Sequence, residues 1–155
     1  MAGNTISETA ASVPEDMLFT AAIERHDLEM PPGKLASQLI HASRLSLLRS
    51  LRMLPLDEML ARMDEFIATN LCGTTATLRA KNLGQLLRAR DEALEAGLPC
   101  CLFTDTGHVL PPHFDGNGTI SALAIGPALR SRIHPITKRF RCIPAPKAKA
   151  DGGAS

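Results

Sequence analysis

Short apolar or β-branched runs alternate with longer amphipathic stretches along this chain, and Pro or Gly stands at most of the joins. Strands that take turns with helices build a layered α/β sheet, so this alternation constrains the fold more than any other feature. Residues 17–23 (MLFTAAI) form an apolar run of strand length. Pro31-Pro32-Gly33 then marks a turn and a helix start, because Pro is preorganised for the first helical turn. From Lys34 to Arg52 the period is helical, with Leu35, Leu39 and Ala42 on one face and Ala36, Ile40, Ser43, Leu47 and Leu51 on another. Two apolar faces imply a helix largely covered by its neighbours.

Pro55 ends or bends that helix, and Met59, Leu60, Met63 and Phe66 supply the stripe of a second one over 56–67. The β-branched residues of 74–79 (TTATLR) predict a second strand. Asn82 is placed to cap a helix running to Ala96, which Gly97 stops. Residues 100–104 form a third strand and 107–118, with their Gly, Pro and Asn, a loop. Residues 119–125 form a fourth strand, closed by Gly126-Pro127. The expected architecture is a three-layer αβα fold on a four-stranded mixed β-sheet, with helices on both faces.

The length of 155 residues suits one domain, placed at 17–143. Residues 1–16 read as a flexible polar arm, and 144–155 as a disordered tail rich in Pro, Ala, Lys and Gly. A hydrophobic fraction of 45% supports a packed core and excludes a wholly disordered chain. Five Phe and no Trp or Tyr argue against binding nucleic acid through base stacking.

The net charge of +1 hides an asymmetry. Glu8, Glu15, Asp16 and Glu24 precede the first basic residue, whereas Arg130, Arg132, Lys138, Arg139, Arg141, Lys147 and Lys149 are opposed only by Asp151. A basic end can meet phosphates, although for the tail itself a solvated, solubilising role is the favoured reading. Cys72, Cys100, Cys101 and Cys142 contain no CxxC pair, and the adjacent two read as small buried side chains, not a redox couple. No signal-peptide pattern opens the chain, and no apolar stretch approaches the roughly 20 residues a membrane helix needs. These features predict a reduced, cytoplasmic protein with no membrane association.

Lys34, Gln38 and His41 recur at helical spacing and fall within roughly 60° of one another around a helix axis. A cation, an amide and an imidazole thus line up beside a helix start, where unpaired backbone N–H groups favour anions. The arrangement suits a phosphate or a developing oxyanion. The competing reading is a solvated first turn running into a buried helix. Leu45 and Leu48 continue the stripe, which would make His41 a core histidine.

The segment from Arg25 to Ala42 (RHDLEMPPGKLASQLIHA) is similar to the N-terminal signature of the peptidyl-tRNA hydrolase 2 family, R-x-D-L-x-M-x-x-G-K-x-A-x-Q-x-x-H-A. Every fixed position is met. Thr104-Asp105-Thr106-Gly107 resembles the family's D-A-G turn, Gly118-Thr119 its G-T, and Leu123-Ala124-Ile125-Gly126-Pro127 its L-A-I-G-P strand end. Thr137 matches a Thr near the family's terminus. The resemblance implies hydrolysis of the ester joining a peptide to the 3′ ribose of tRNA, a carboxylic ester hydrolysis that recycles tRNA. It implies no cofactor and no metal, and a partner that is the acceptor stem and 3′ end of peptidyl-tRNA, in a possible homodimer.

The same resemblance supplies catalytic candidates. Asp105 would accept a proton or orient water, and Lys34 would stabilise the oxyanion or bind phosphate. Gln38 would hold the ester or the ribose, and His41 would carry a proton or serve structurally. Asp27 would hold Lys34 or cap the helix, and Arg25 would pair with an acid or a phosphate. Gly107 and Thr119 complete the expected substrate-binding set.

Val109 stands where the family has a Thr, and the following loop, 110–117, is longer than usual. Loss of that hydroxyl is expected to weaken catalysis unless His113 or Asp115 replaces it. A catalytically weakened relative, binding tRNA or a protein, is therefore the alternative to the enzyme. A hydrolase of some other ester or amide is a third possibility. His108, His113 and Asp115 offer metal-ligand chemistry, but at the spacing of an ordinary loop.

Overall fold

A computed structural model describes residues 17–144. The expectations for the 1–16 arm and for the tail beyond Pro144 lie outside the described residues. The elements are β1 (Leu18–Arg25), a 3-10 turn (His26–Leu28), α1 (Pro32–Arg52), α2 (Leu56–Thr69), β2 (Thr74–Ala80), α3 (Leu83–Glu95), β3 (Cys100–Asp105), β4 (Val109–Leu110), β5 (Phe114–Asp115), β6 (Thr119–Leu129), α4 (Arg130–Thr137) and β7 (Arg141–Cys142).

The fold is α/β on a mixed sheet, but that sheet has five strands, in the order β3-β6-β1-β2-β7, and not the expected four. Only β1 and β2 run parallel; the other pairs are antiparallel. The extra strand, β7, is the short pair Arg141-Cys142 held against Arg79 and Leu78. No local propensity marks it, since pairing with β2 alone makes it a strand.

Alternate residues of the central strands enter different clusters, as the two-residue period of a strand requires. Ala21, Ile23, Leu123 and Ile125 pack with Leu86, Ala89 and Ala93 of α3 and Ile133 and Ile136 of α4. Ala22, Ala122 and Ala124 pack with Leu39 and Ala42 of α1. This second set of strand residues is all alanine. With no side chain beyond Cβ, it lets α1 lie close to the strands, and α1 accordingly buries two polar residues, Gln38 and Ser46. Ser46 Oγ donates to the Gly126 carbonyl. The expectation that both faces of α1 are covered does not hold. Ile40, Leu45 and Leu48 are exposed, because α2 touches α1 only sparsely and leaves its own Leu60 and Ile67 in solvent.

Helix α3 begins as the sequence predicts, with Asn82 Oδ1 accepting from the Gln85 backbone N–H at 3.0 Å. Strand β6 departs from expectation, since it continues through Gly126-Pro127 to Leu129. Pro127 has no N–H to give a ladder. The two strands absorb this with an irregularity, in which Phe19 pairs with Ala128 and Ala21 with Ile125, leaving Gly126-Pro127 opposite Thr20. Gly126 has φ +113°, and its N–H turns to the Pro99 carbonyl at 2.8 Å. A Cβ there would collide with the Phe19 carbonyl oxygen. Gly126→Ala is therefore expected to lower the unfolding free energy by at least about 1–3 kcal/mol in urea titrations. Gly33→Ala, where an added Cβ meets nothing within 4 Å, is expected to be neutral or stabilising by up to about 1 kcal/mol. Equal stability of the two variants would contradict this account of the Gly126 turn.

Candidate active site

Strand β3 ends at Asp105 where the chain leaves the sheet, and the first turns of α1 lie alongside. Pro32 occupies the first helical position of α1, so Lys34 sits in its first turn and Gln38 one turn on. Both side chains converge on one carboxylate. Lys34 Nζ donates to Asp105 Oδ2, and Gln38 Nε2 donates to the same oxygen at 3.1 Å. The other oxygen, Oδ1, accepts the backbone N–H groups of Gly107 and His108, each at 3.2 Å. Gln38 is itself fixed from behind, since Ser121 Oγ on β6 donates to its Oε1. The amide orientation follows, with Oε1 used as acceptor and Nε2 as donor.

The Lys34 and Asp105 side chains are only 10% and 8% exposed, so the pair is shielded from solvent. Burial pulls the Asp105 carboxyl upward. The hydrogen bond from Lys34, with those from Gly107 and Gln38 and the lysine's charge, outweighs it and holds the group below its ordinary value of 3.8. Asp105 is thus a carboxylate at neutral pH.

Two residues that the sequence reading did not assign to the site complete the surroundings of Lys34. His108 Nδ1 lies 2.9 Å from Nζ, and the Phe114 ring lies beneath the ammonium with its centroid at 4.4 Å. A lysine ammonium only donates, so Nδ1 is the accepting partner in this contact. Phe114 is buried with Leu28 and Met30 and presents its π face to a cation. The expected loop is in fact a small hairpin, β4 paired with β5, and it is this hairpin that carries Phe114 under Lys34. Only the extra length of 110–117 hinted at it.

An open cleft of about 410 Å³ lies over these groups, walled by Lys34, Gln38 and His41 on one side and by Phe103 to His108 on the other. Of the sequence-predicted residues, the structure brings together Lys34, Gln38, His41, Asp105 and Gly107. His41 is exposed, and so are Leu45 and Leu48, which removes the reading of a core histidine. Arg25, Asp27 and Thr119 do not line the cleft. Arg25 makes a two-point pair with Asp27, at 2.7 and 3.2 Å, and donates to the Ile120 carbonyl at 2.9 Å. Asp27 therefore neither holds Lys34 nor caps α1, whose N-cap, Pro31, has no side-chain partner. The bond from Arg25 holds the Asp27 carboxyl below its usual range against a smaller effect of burial. Thr119 Oγ1 donates to the His113 carbonyl at 2.9 Å and so ties the hairpin to β6. Among the described residues, no group of three or more His, Cys, Asp or Glu is placed to hold a metal ion.

Residues 20–143 match the family described as "Peptidyl-tRNA hydrolase PTH2". The chain belongs to the peptidyl-tRNA hydrolase 2 family. It is 32% identical over 118 residues to a protein of Sulfolobus acidocaldarius named "Peptidyl-tRNA hydrolase", covering 76% of this chain and 92% of that one. A protein of the same name from Methanothermobacter thermautotrophicus is 34% identical over 116 residues, which cover 74% of this chain and 90% of the relative. A "Probable peptidyl-tRNA hydrolase 2" of Dictyostelium discoideum is 29% identical over 117 residues, 76% of this chain and 50% of that protein.

Against the family's pattern, Val109 in place of Thr reads differently once it is located. Its side chain is 64% exposed on β4 and does not line the cleft. The swap therefore leaves no buried polar group without a partner. His113 is exposed, and Asp115 accepts from the Asn117 backbone N–H at 2.9 Å, so neither reaches the cleft as a substitute.

The low carboxyl of Asp105 makes a testable contribution to stability. A group whose folded value lies below its unfolded one stabilises fully above the unfolded value and loses that contribution as pH falls through the folded value. Urea titrations from neutral pH downward are expected to show stability falling from about pH 3.8 into more acid solution, and Asp105→Asn is expected to flatten that limb. Parallel acid limbs for the two proteins would show that the ion pair does not hold the carboxyl low.

Proposed function

We propose that this chain hydrolyses the ester between a peptide and the 3′ ribose of tRNA, releasing the peptide and free tRNA. The observation that carries this reading is the convergence of Lys34 and Gln38 on Asp105 beneath an open cleft, in a chain whose relatives are named peptidyl-tRNA hydrolases. The reaction adds water to the ester carbonyl carbon, and the ribose oxygen then leaves with a proton. Lys34 supplies fixed positive charge where the carbonyl oxygen turns anionic, which is the largest single contribution a site of this kind makes. Asp105 binds a proton weakly, so it orients Lys34 and the attacking water in preference to storing a proton. Gln38, locked by Ser121, offers an amide to the ester or the ribose.

The proposal extends to the surroundings. The chemistry is carried by a single 17–143 domain that we infer to be a three-layer αβα sandwich. The acceptor stem meets the protein through backbone phosphates, and we place the activity in the cytoplasm, where that substrate is. No helix among the described residues is long and apolar enough to cross a membrane. A second copy of the chain would pack on the exposed Ile40, Leu48, Leu60 and Ile67. A weakened, binding-only relative was the alternative, and the exposed position of Val109 removes its motivation.

The test is release of an N-blocked amino acid from its tRNA by the purified chain, with chelator and no added metal. The wild type is expected to turn over, and Lys34→Ala and Asp105→Ala each to lose about 100- to 1000-fold in kcat/KM, the usual cost of an oxyanion-stabilising group. No release by the wild type, or full activity in both variants, would overturn the proposal.

A further inference from the structure

The cleft contains one feature that the Lys34, Gln38 and Asp105 cluster does not use. The His41 ring lies against the Phe103 ring, with centroids 4.7 Å apart and planes 21° from parallel. Phe103 is half-buried and packs against the alanine-lined cluster under α1, so its position is fixed by the core. His41 is exposed, and both rings line the cleft. Among the described residues, no side-chain hydrogen bond ties His41 to Lys34, Gln38 or Asp105. A ring backed on one face by a second ring and open to a cleft is a stacking surface. Its place along α1 also fits, since His41 is three residues, about 4.5 Å of helix axis, beyond Gln38 and on the same stripe.

We propose that His41, backed by Phe103, is the platform on which the 3′-terminal adenine of the tRNA stacks while its ester lies at Lys34 and Asp105. This rests on the hydrolase reading above. The substrate's reacting ester is attached to the terminal nucleoside, so a base must come to rest within one nucleoside of the ester. Every nucleobase has a π face, and a side chain beneath it needs no proton to hold it. The scarcity of aromatics in this chain therefore does not exclude stacking, because one ring in the right place suffices for one base. His41 is on this account a binding residue and moves no proton.

Two variants separate these roles. His41→Ala removes the ring, whereas His41→Phe keeps a ring and loses both nitrogens. With blocked aminoacyl-tRNA, His41→Ala is expected to raise KM about 5- to 150-fold with little change in kcat, the range that loss of one base–aromatic stack produces. His41→Phe is expected to recover most of that loss. If His41→Phe instead loses kcat as deeply as His41→Ala, the imidazole moves a proton and the platform is overturned. A second readout does not depend on turnover. A tRNA with 2-aminopurine as its terminal base, carrying its amino acid through a stable amide, is expected to lose fluorescence on binding the wild type and His41→Phe, and to keep it on binding His41→Ala. Ester hydrolysis without quenching would overturn the platform alone. Quenching by a wild type that hydrolyses no ester would overturn the hydrolase reading and leave the platform standing.

Discussion

The carboxylate of Asp105 holds the site together. It accepts from Lys34 and Gln38 of α1 through one oxygen and from the Gly107 and His108 backbone through the other. One side chain thereby fixes the end of β3, the first turns of α1 and the turn that follows. The arrangement requires α1 to lie close to the sheet, which Ala22, Ala122 and Ala124 permit. It also requires Gln38 to be held from behind, which Ser121 does. A buried ion pair is weakly stabilising as a whole, but removing one member leaves an uncompensated charge at a cost of about 3–5 kcal/mol. Such a pair is well suited to fixing geometry, and here the geometry is that of a cation presented to an open cleft.

The hairpin extends that control. Phe114 places a π face under the Lys34 ammonium, and His108 gives it a lone pair. The lysine is thus held on three sides by a carboxylate, an imidazole nitrogen and a ring. A fixed cation of this kind stabilises a developing oxyanion without having to reorganise as the charge appears. The carboxylate, held below its ordinary range, contributes by orientation more than by basicity.

Much of this was legible in the sequence where the signal was local. Pro31-Pro32-Gly33 gave the start of α1, Asn82 and Gly97 bounded α3, and helical spacing put Lys34, Gln38 and His41 on one stripe. The misses have a common physical source in pairings between distant residues. Arg141-Cys142 is a strand only because Arg79 and Leu78 lie beside it, and β6 survives Gly126-Pro127 only because Thr20 yields in the opposite strand. Helix α4 went unseen because Pro135 lies inside it and its apolar face is reduced to Ile133 and Ile136. Arg25 and Asp27 satisfy the family signature yet spend their charges on each other. Nothing in the spacing of His108 or Phe114 pointed to Lys34, since more than seventy residues separate them and only the folded hairpin brings them together.

The central claim is that Lys34 and Asp105 act as one unit, with the carboxylate working through the lysine. A double-mutant cycle on kcat/KM for blocked aminoacyl-tRNA, using Lys34→Met, Asp105→Asn and the pair together, measures this most directly. The expected result is strong non-additivity, with the double variant scarcely worse than the more damaged single one. Losses that simply multiply would contradict the account, because they would mean that Asp105 and Lys34 serve the reaction independently.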